Sequence, residues 1–234
     1  YVAYSADVLL AGGRVVEYMT RAENGFKADV DELAVLMRRE KPKAILLNFP
    51  CNPTGATMTR SDLERIVRVI ERHPDLIVLS DELYAELTYG DDPFVSIATF
   101  PSMRDRTIIV NGFSKSFAMT GWRIGMAVGN KEIIRGLGIV KTNIDSGVFN
   151  PVQYAAIAAL NGPQDCVADA CRIYQKRRDV LVSGLTKLGF DVTMPKATFY
   201  VWMGVPDSIS FAARMLDETG IVVTPGVGFG KSGE

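Results

Sequence analysis

Three short runs, apolar at nearly every position, end abruptly in polar residues. Ala44–Phe49 runs into Pro50-Cys51-Asn52-Pro53-Thr54-Gly55, Leu76–Leu79 into Ser80-Asp81-Glu82, and Thr107–Val110 into Asn111-Gly112-Phe113-Ser114-Lys115. A strand with no polar face must be covered on both sides, and such strands, separated by helix-length segments, pair in parallel. The intervening segments carry helix signals. Asp29 with Glu32 suits an N-cap and capping-box partner for a helix turning Leu33, Leu36 and Met37 inward, and Thr59 with Asp62 repeats the pattern before Leu63, Ile66, Val67 and Ile70. His73 precedes Pro74, where that helix must stop. Val15–Met19 and Trp122–Val128 read as further strands. The expected fold is α/β: a three-layer, mostly parallel sheet with helices on both faces.

Beyond Asn130 helices dominate, and Val167, Cys171, Tyr174, Leu181, Val182, Leu185 and Leu188 largely keep helical spacing along one long helix. A strand-rich stretch over Phe190–Val205 and a last helix over Ser208–Thr219 follow. The change near residue 175 divides the chain into a large domain, 1–175, and part of a smaller α+β domain, 176–234. Composition narrows the function. With 26 basic against 27 acidic residues the net charge is −1, so no global field favours nucleic acid or an anionic membrane. No apolar run approaches the roughly 18 residues of a membrane span. The first residues, Tyr1-Val2-Ala3-Tyr4, carry no basic-then-apolar leader, so no secretory signal is expected. Three cysteines without CxxC or metal-ligand spacing suit a reducing, cytoplasmic compartment and no metal.

Ligands of open α/β sheets bind beyond the carboxyl ends of the strands. Asn52, Asp81 with Tyr84, and Ser114-Lys115 all follow such ends, so residues as far apart as Asp81 and Lys115 can converge, with Arg123 eight residues beyond the lysine. Amide, carboxylate, phenol, hydroxyl and amine together suit an aldehyde cofactor carrying a phosphate. Lysine forms Schiff bases with carbonyls, and arginine and serine bind phosphate oxygens.

Asn52-Pro53-Thr54-Gly55, Ser80-Asp81-Glu82-Leu83-Tyr84 and Gly112-Phe113-Ser114-Lys115-Ser116-Phe117-Ala118-Met119-Thr120-Gly121-Trp122-Arg123-Ile124-Gly125 resemble the class I/II pyridoxal-phosphate aminotransferases, closest to the aspartate/aromatic branch of fold type I. The resemblance extends to Ala197-Thr198-Phe199-Tyr200 and Thr224-Pro225-Gly226. It implies pyridoxal 5′-phosphate as cofactor, with Lys115 holding it as an internal aldimine and then shuttling a proton. It also implies Asp81 opposite the pyridine nitrogen, Asn52 and Tyr84 on the phenolic oxygen, and Ser114 and Arg123 on the phosphate. Lys115, Asp81 and Tyr84 are the implied catalytic residues, and Asn52–Pro53 is an implied cis bond. The implied reaction moves an amino group between an amino acid and a 2-oxo acid, in a homodimer.

Each residue has a plainer reading. Asp81 could cap the next turn, Lys115 could be a solvated lysine or half of a salt bridge, Tyr84 could be core and Arg123 a structural ion-pair partner. Gly230-Lys231-Ser232 mimics the end of a P-loop, but Pro225 stands where its first glycine belongs. Cys51 reads as a buried thiol, and Cys166 and Cys171 do not share a helix face.

Family members are expected to be nearly twice this length. The resemblance places a phosphate-gripping helix start and a ring-stacking aromatic before Tyr1, and a carboxylate-binding arginine beyond Glu234. The chain therefore reads as the central part of a longer protein. A C–S lyase-like β-elimination on the same scaffold, a non-catalytic cofactor- or effector-binding module, and an inactive fragment are the alternatives. Amino donor and acceptor stay open.

Overall fold

The computed structural model describes residues 1–90, 93–230 and 233. Its centre is a four-stranded sheet of β1 (Ala44–Asn48), β2 (Ile77–Asp81), β3 (Thr107–Gly112) and β4 (Gly125–Gly129), in that order across the sheet. The first three strands are parallel, as their apolar runs predict, and β4 returns antiparallel to β3. Asn48 lies beside Asp81, and Asp81 beside Val110, so the three parallel strands finish level.

Helices fill the intervals: α1 (Ala3–Leu10), α2 (Val30–Glu40) and α3 (Arg60–Ile70), then the short α4 (Phe113–Ser116) after β3. The register puts Leu47, Val78, Ser80 and Thr107 on one face of the sheet, and all are buried. Leu33 and Met37 of α2 and Leu63, Ile66, Val67 and Ile70 of α3 form one cluster with Leu47 and Val78. Each such side chain withdrawn from water contributes about 1.5–3 kcal/mol. The α3 capping box is complete: the Thr59 hydroxyl accepts from the Asp62 N–H and the Asp62 carboxylate accepts from the Thr59 N–H. Losing such a cap costs about 1 kcal/mol. Only half of the expected α2 box forms. Asp29 accepts from the Asp31 and Glu32 N–H groups, while the Glu32 carboxylate turns outward to Arg21 at 2.9 Å.

Two expected strand regions are not strands. Val15–Met19 is irregular, since no neighbouring strand offers it a ladder; Tyr18 instead donates its hydroxyl to the Asp29 carbonyl at 2.7 Å. Phe190–Val205 contains only isolated bridges, Thr88 to Ala197 and Val192 to Met203, and Thr198 turns the backbone at φ 66° within it. Trp122 belongs to a 3₁₀ turn (Thr120–Trp122), and β4 begins at Gly125.

The remaining helices are α5 (Lys131–Ile144), α6 (Asn150–Asn161), α7 (Asp165–Lys187) and α8 (Ser208–Thr219). Residue 175 lies inside α7, so one helix runs through the expected division. Val167 and Val182 of α7 are buried, Cys171, Tyr174 and Leu185 half-buried, and Leu181 and Leu188 exposed. No helix among the described residues is long and apolar enough to cross a membrane.

Candidate active site

The polar residues collect where β1, β2 and β3 end. Asp81 is the last residue of β2, and Asn48 at the end of β1 accepts from the Asn52 N–H at 3.0 Å. That bond folds Pro50–Gly55 back over the sheet edge. Both Asn52–Pro53 and Phe49–Pro50 are cis; only the first was expected. Gly55 sits at φ 70°, and a Cβ there would lie 2.6 Å from Pro195 Cβ and 2.8 Å from the Ala197 carbonyl oxygen. A glycine at position 55 thus lets the segment after Pro195 close against the Asn52 turn.

That segment carries two aromatic residues into the site. The Thr198 N–H donates to the Leu87 carbonyl at 2.8 Å, the Tyr89 N–H to the Lys196 carbonyl at 2.8 Å, and the Tyr89 hydroxyl to the Thr198 carbonyl. Tyr84, only three residues before Leu87, therefore shares a frame with Phe199 and Tyr200. The Tyr84 and Tyr200 hydroxyls are 2.9 Å apart, Asn52 Nδ2 lies 3.5 Å from the Tyr200 hydroxyl, and the Phe199 ring stands 5.6 Å edge-on from Tyr84. Burial above all pushes the Tyr84 phenol far above its ordinary range.

Lys115 lies in α4, directly after β3, with Nζ 5.5 Å from the centroid of the Phe199 ring. It joins no ion pair among the described residues, so the salt-bridge reading of Asp81 and Lys115 is not realised. Asp81 instead accepts the Tyr4 hydroxyl on Oδ2 and the Leu83 N–H, at 3.2 Å, on Oδ1. Its neighbour Glu82 turns the other way and is buried, accepting the Ser80 and Ser96 hydroxyls at 2.8 and 2.6 Å. Burial raises the Glu82 pKa against the lowering effect of those hydroxyls. Of two adjacent acids, only Asp81 serves the site edge.

Arg123 is exposed and left-handed at φ 51°, and gives one guanidinium N–H to the Thr120 carbonyl at 2.9 Å. Thr120 in turn donates its hydroxyl to the Ser114 carbonyl at 2.8 Å, which ties the Arg123 turn to the residue before Lys115. The Ser114 hydroxyl and the rest of the Arg123 fork have no hydrogen-bond partner among the described residues.

Two residues at the site escaped the sequence reading. Tyr4 reaches Asp81 from the first turn of α1, and Tyr1 packs edge-on against Tyr4 at 5.6 Å. Burial, then the bond to Asp81, pushes the Tyr4 phenol well above its ordinary range. The available signal was their spacing, since residues three apart near a helix start share a face. Tyr200 also lay unassigned within a quoted motif. Of the P-loop lookalike, the preceding Gly226–Phe229 is a 3₁₀ turn, and Lys231 and Ser232 lie outside the described residues.

The donor set fits the expected cofactor. One carboxylate suits a protonated ring nitrogen, a phenol and an amide suit a phenolic oxygen, and an amine outside any ion pair suits an aldehyde. A hydroxyl and an open guanidinium fork suit a phosphate. Among the described residues no metal-ligand cluster competes for these groups.

Comparison with known proteins bears on the same residues. The sequence matches the family described as "Aminotransferase class I and II" over residues 1–234. It is 42% identical over 237 residues to the LL-diaminopimelate aminotransferase of Syntrophobacter fumaroxidans, covering all of this chain and 61% of that protein. The structure superposes on an aromatic aminotransferase from Pyrococcus horikoshii with TM-score 0.93 at 38% identity, covering all of this chain and 64% of the other. It superposes on an aspartate aminotransferase from Thermus thermophilus, solved with maleate, with TM-score 0.90 at 38% identity, covering 98% and 60%. The chain thus spans about 60% of the length of these relatives.

Proposed function

The chain belongs to the class I and II aminotransferases, and from that premise we propose that its parent protein is a pyridoxal-phosphate-dependent enzyme moving an amino group between an amino acid and a 2-oxo acid. The carrying observation is the gathering of Lys115, Asp81, Tyr84 and Asn52 at one edge of the sheet.

In this reading Asp81 opposes the ring nitrogen and keeps it protonated, and Tyr4 and the Leu83 N–H fix the orientation of that carboxylate. Asn52 and Tyr84 donate to the phenolic oxygen. Ser114 and Arg123 take the phosphate, Arg123 through the open part of its fork. When bound, the cofactor supplies an aldehyde for the amino group and a ring that withdraws electrons from the α-carbon. In this reading Lys115 Nζ would hold the aldehyde and, once released, would take the substrate's α-proton as general base.

We further propose a diamino dicarboxylic acid of the diaminopimelate type as donor, in amino-acid biosynthesis. The name of the relative at 42% identity supports that choice. Our reading keeps a large cofactor domain over 1–175 and the first part of a smaller domain over 176–234. It places the parent in the cytoplasm as a homodimer, with neither nucleic acid nor membrane as partner.

The test uses the full-length protein. Borohydride reduction in the presence of pyridoxal phosphate is expected to leave a reduced adduct on Lys115, located by peptide mass mapping. Incubation with LL-diaminopimelate and 2-oxoglutarate is expected to yield glutamate. Transfer from aspartate or aromatic amino acids alone would replace the donor and keep the reaction. Release of the substrate side chain without amino exchange would assign β-elimination instead. An adduct without turnover of any amino acid would leave a binding module.

A further inference from the structure

Tyr84 does not stand alone at the sheet edge; its hydroxyl is 2.9 Å from that of Tyr200, which in turn lies 3.5 Å from Asn52 Nδ2. An amide nitrogen can only donate, so the Tyr200 oxygen accepts that contact, while the 2.9 Å contact allows either phenol as donor. With Tyr200 as the donor of that pair, the Tyr84 proton is left for a further partner. We propose that Tyr200 is a positioning residue: it sets the direction of an amide-to-phenol-to-phenol relay that presents the Tyr84 proton to the cofactor's phenolic oxygen. This rests on the cofactor reading above and extends it to a residue outside the expected binding set.

Two observations support a built relay rather than a chance contact. Tyr200 is held by its own segment, its N–H donating to Thr198 Oγ1 at 3.2 Å, with Thr198 pinned to Leu87 and Tyr89. The rings of Tyr84 and Tyr200 meet edge-on at 5.8 Å, with Phe199 against both. Chained hydroxyls also polarise one another, so the last donor is stronger than an isolated phenol. Asp81 and Tyr1 are the other titratable groups facing Tyr84, and both disfavour its ionisation. Lys115 faces the neutral Phe199 ring.

The experiment is a double-mutant cycle in the full-length protein loaded with pyridoxal phosphate, reading the pH midpoint of the visible absorbance of the lysine-linked cofactor. A phenolate oxygen with fewer or weaker donors holds the neighbouring proton more tightly, so Tyr84→Phe should raise the midpoint. Tyr200→Phe should raise it by a smaller amount, on the order of half a unit to one unit. In the Tyr84→Phe background, Tyr200→Phe should add nothing. An equal shift in both backgrounds, or no shift from Tyr200→Phe when Tyr84→Phe has one, overturns the relay.

A second measurement guards against general loosening of the fold. Tyr200→Phe should weaken binding of pyridoxal phosphate about 5- to 10-fold but leave binding of the 3-deoxy analogue, which lacks the phenolic oxygen, unchanged. Equal loss for both ligands overturns the relay in favour of a packing role. A parent protein with no titrating visible band defeats the cofactor reading itself, and the relay falls with it; a band that titrates identically in every variant defeats the relay alone.

Discussion

On the proposed reading, the ring end and the phosphate end of the candidate site are built differently. At the ring end, Asn52 and Tyr84 are buried, Asp81 and Tyr200 half-buried, and their polar atoms bond to other side chains: Asp81 to Tyr4, Tyr84 to Tyr200 and Tyr200 to Asn52. At the phosphate end, Arg123 is exposed, and the contacts that hold it run through backbone carbonyls, Arg123 to Thr120 and Thr120 to Ser114. The difference concerns pre-organisation. Buried groups that bond to one another pay their ordering cost on folding and act in a low dielectric, where one wrong partner is expensive. An exposed guanidinium contributes mainly charge, which salt screens. The ring end should therefore govern rate and spectrum, and the phosphate end affinity.

The largest expected effects fall where the two ends meet. In the full-length protein Lys115→Ala should abolish reductive trapping of the cofactor and lower amino transfer by about 10²–10⁴-fold, the usual worth of a positioned base, or more. Retained trapping at wild-type stoichiometry would move the reactive amine elsewhere. At the ring end, Asp81→Asn should cost on the order of 10²-fold in turnover, the scale of a lost electrostatic partner. Tyr4→Phe removes only one bond to that carboxylate and should cost about 10-fold or less. Equal losses from the two would mean that the carboxylate is useless without its tyrosine, which would make the ring end still more cooperative.

The same contrast explains what could be read from the sequence. The sheet and α3 were legible because periodicity reports burial directly: Leu63, Ile66, Val67 and Ile70 recur at helical spacing and are all buried. Asp81 and Lys115 were legible because parallel strands end on one edge. Tyr4 and Tyr200 were not, because each reaches the site from a segment with no strand-end signature, across 77 and 116 residues of sequence. Phe190–Val205 misled for a related reason. Its alternating apolar residues look like strand, but Thr198 at φ 66° spends that pattern on a turn that aims Phe199 and Tyr200.

At the phosphate end, Arg123→Gln keeps hydrogen-bonding capacity and removes charge. It should weaken pyridoxal phosphate binding about 10- to 100-fold, the scale of charge-assisted bonds, while leaving the pH midpoint of the visible band in place. The wild-type affinity should also fall with added salt more steeply than that of the variant. A midpoint that moves as much in Arg123→Gln as in Tyr84→Phe would erase the distinction between the two ends.

The smallest effect at neutral pH concerns the clamp behind the ring end. Tyr89 donates to the Thr198 carbonyl, and its ring lies under the Arg178 guanidinium, 4.5 Å from the centroid. Burial, with Cys171 nearby and against the pull of Arg178, pushes its phenol up from 10.0 to about 12. Above pH 10 an unfolded tyrosine gives up a proton that the folded one keeps, so stability falls as pH rises. Its contribution is complete below about pH 10 and is lost as pH climbs toward 12. Urea unfolding of the full-length protein at pH 8, 10 and 11 should therefore show a declining midpoint, with Tyr4 and Tyr84, also pushed upward, adding to the decline. Tyr89→Phe should start about 1 kcal/mol lower at pH 8, for the lost hydrogen bond, and decline less steeply. Because the clamp aims Tyr200, the wild-type visible band should change over the same alkaline interval before phosphate affinity does. An unchanged slope in the variant would remove Tyr89 from the clamp and leave the placement of Tyr200 to Thr198 and its N–H bond to Leu87.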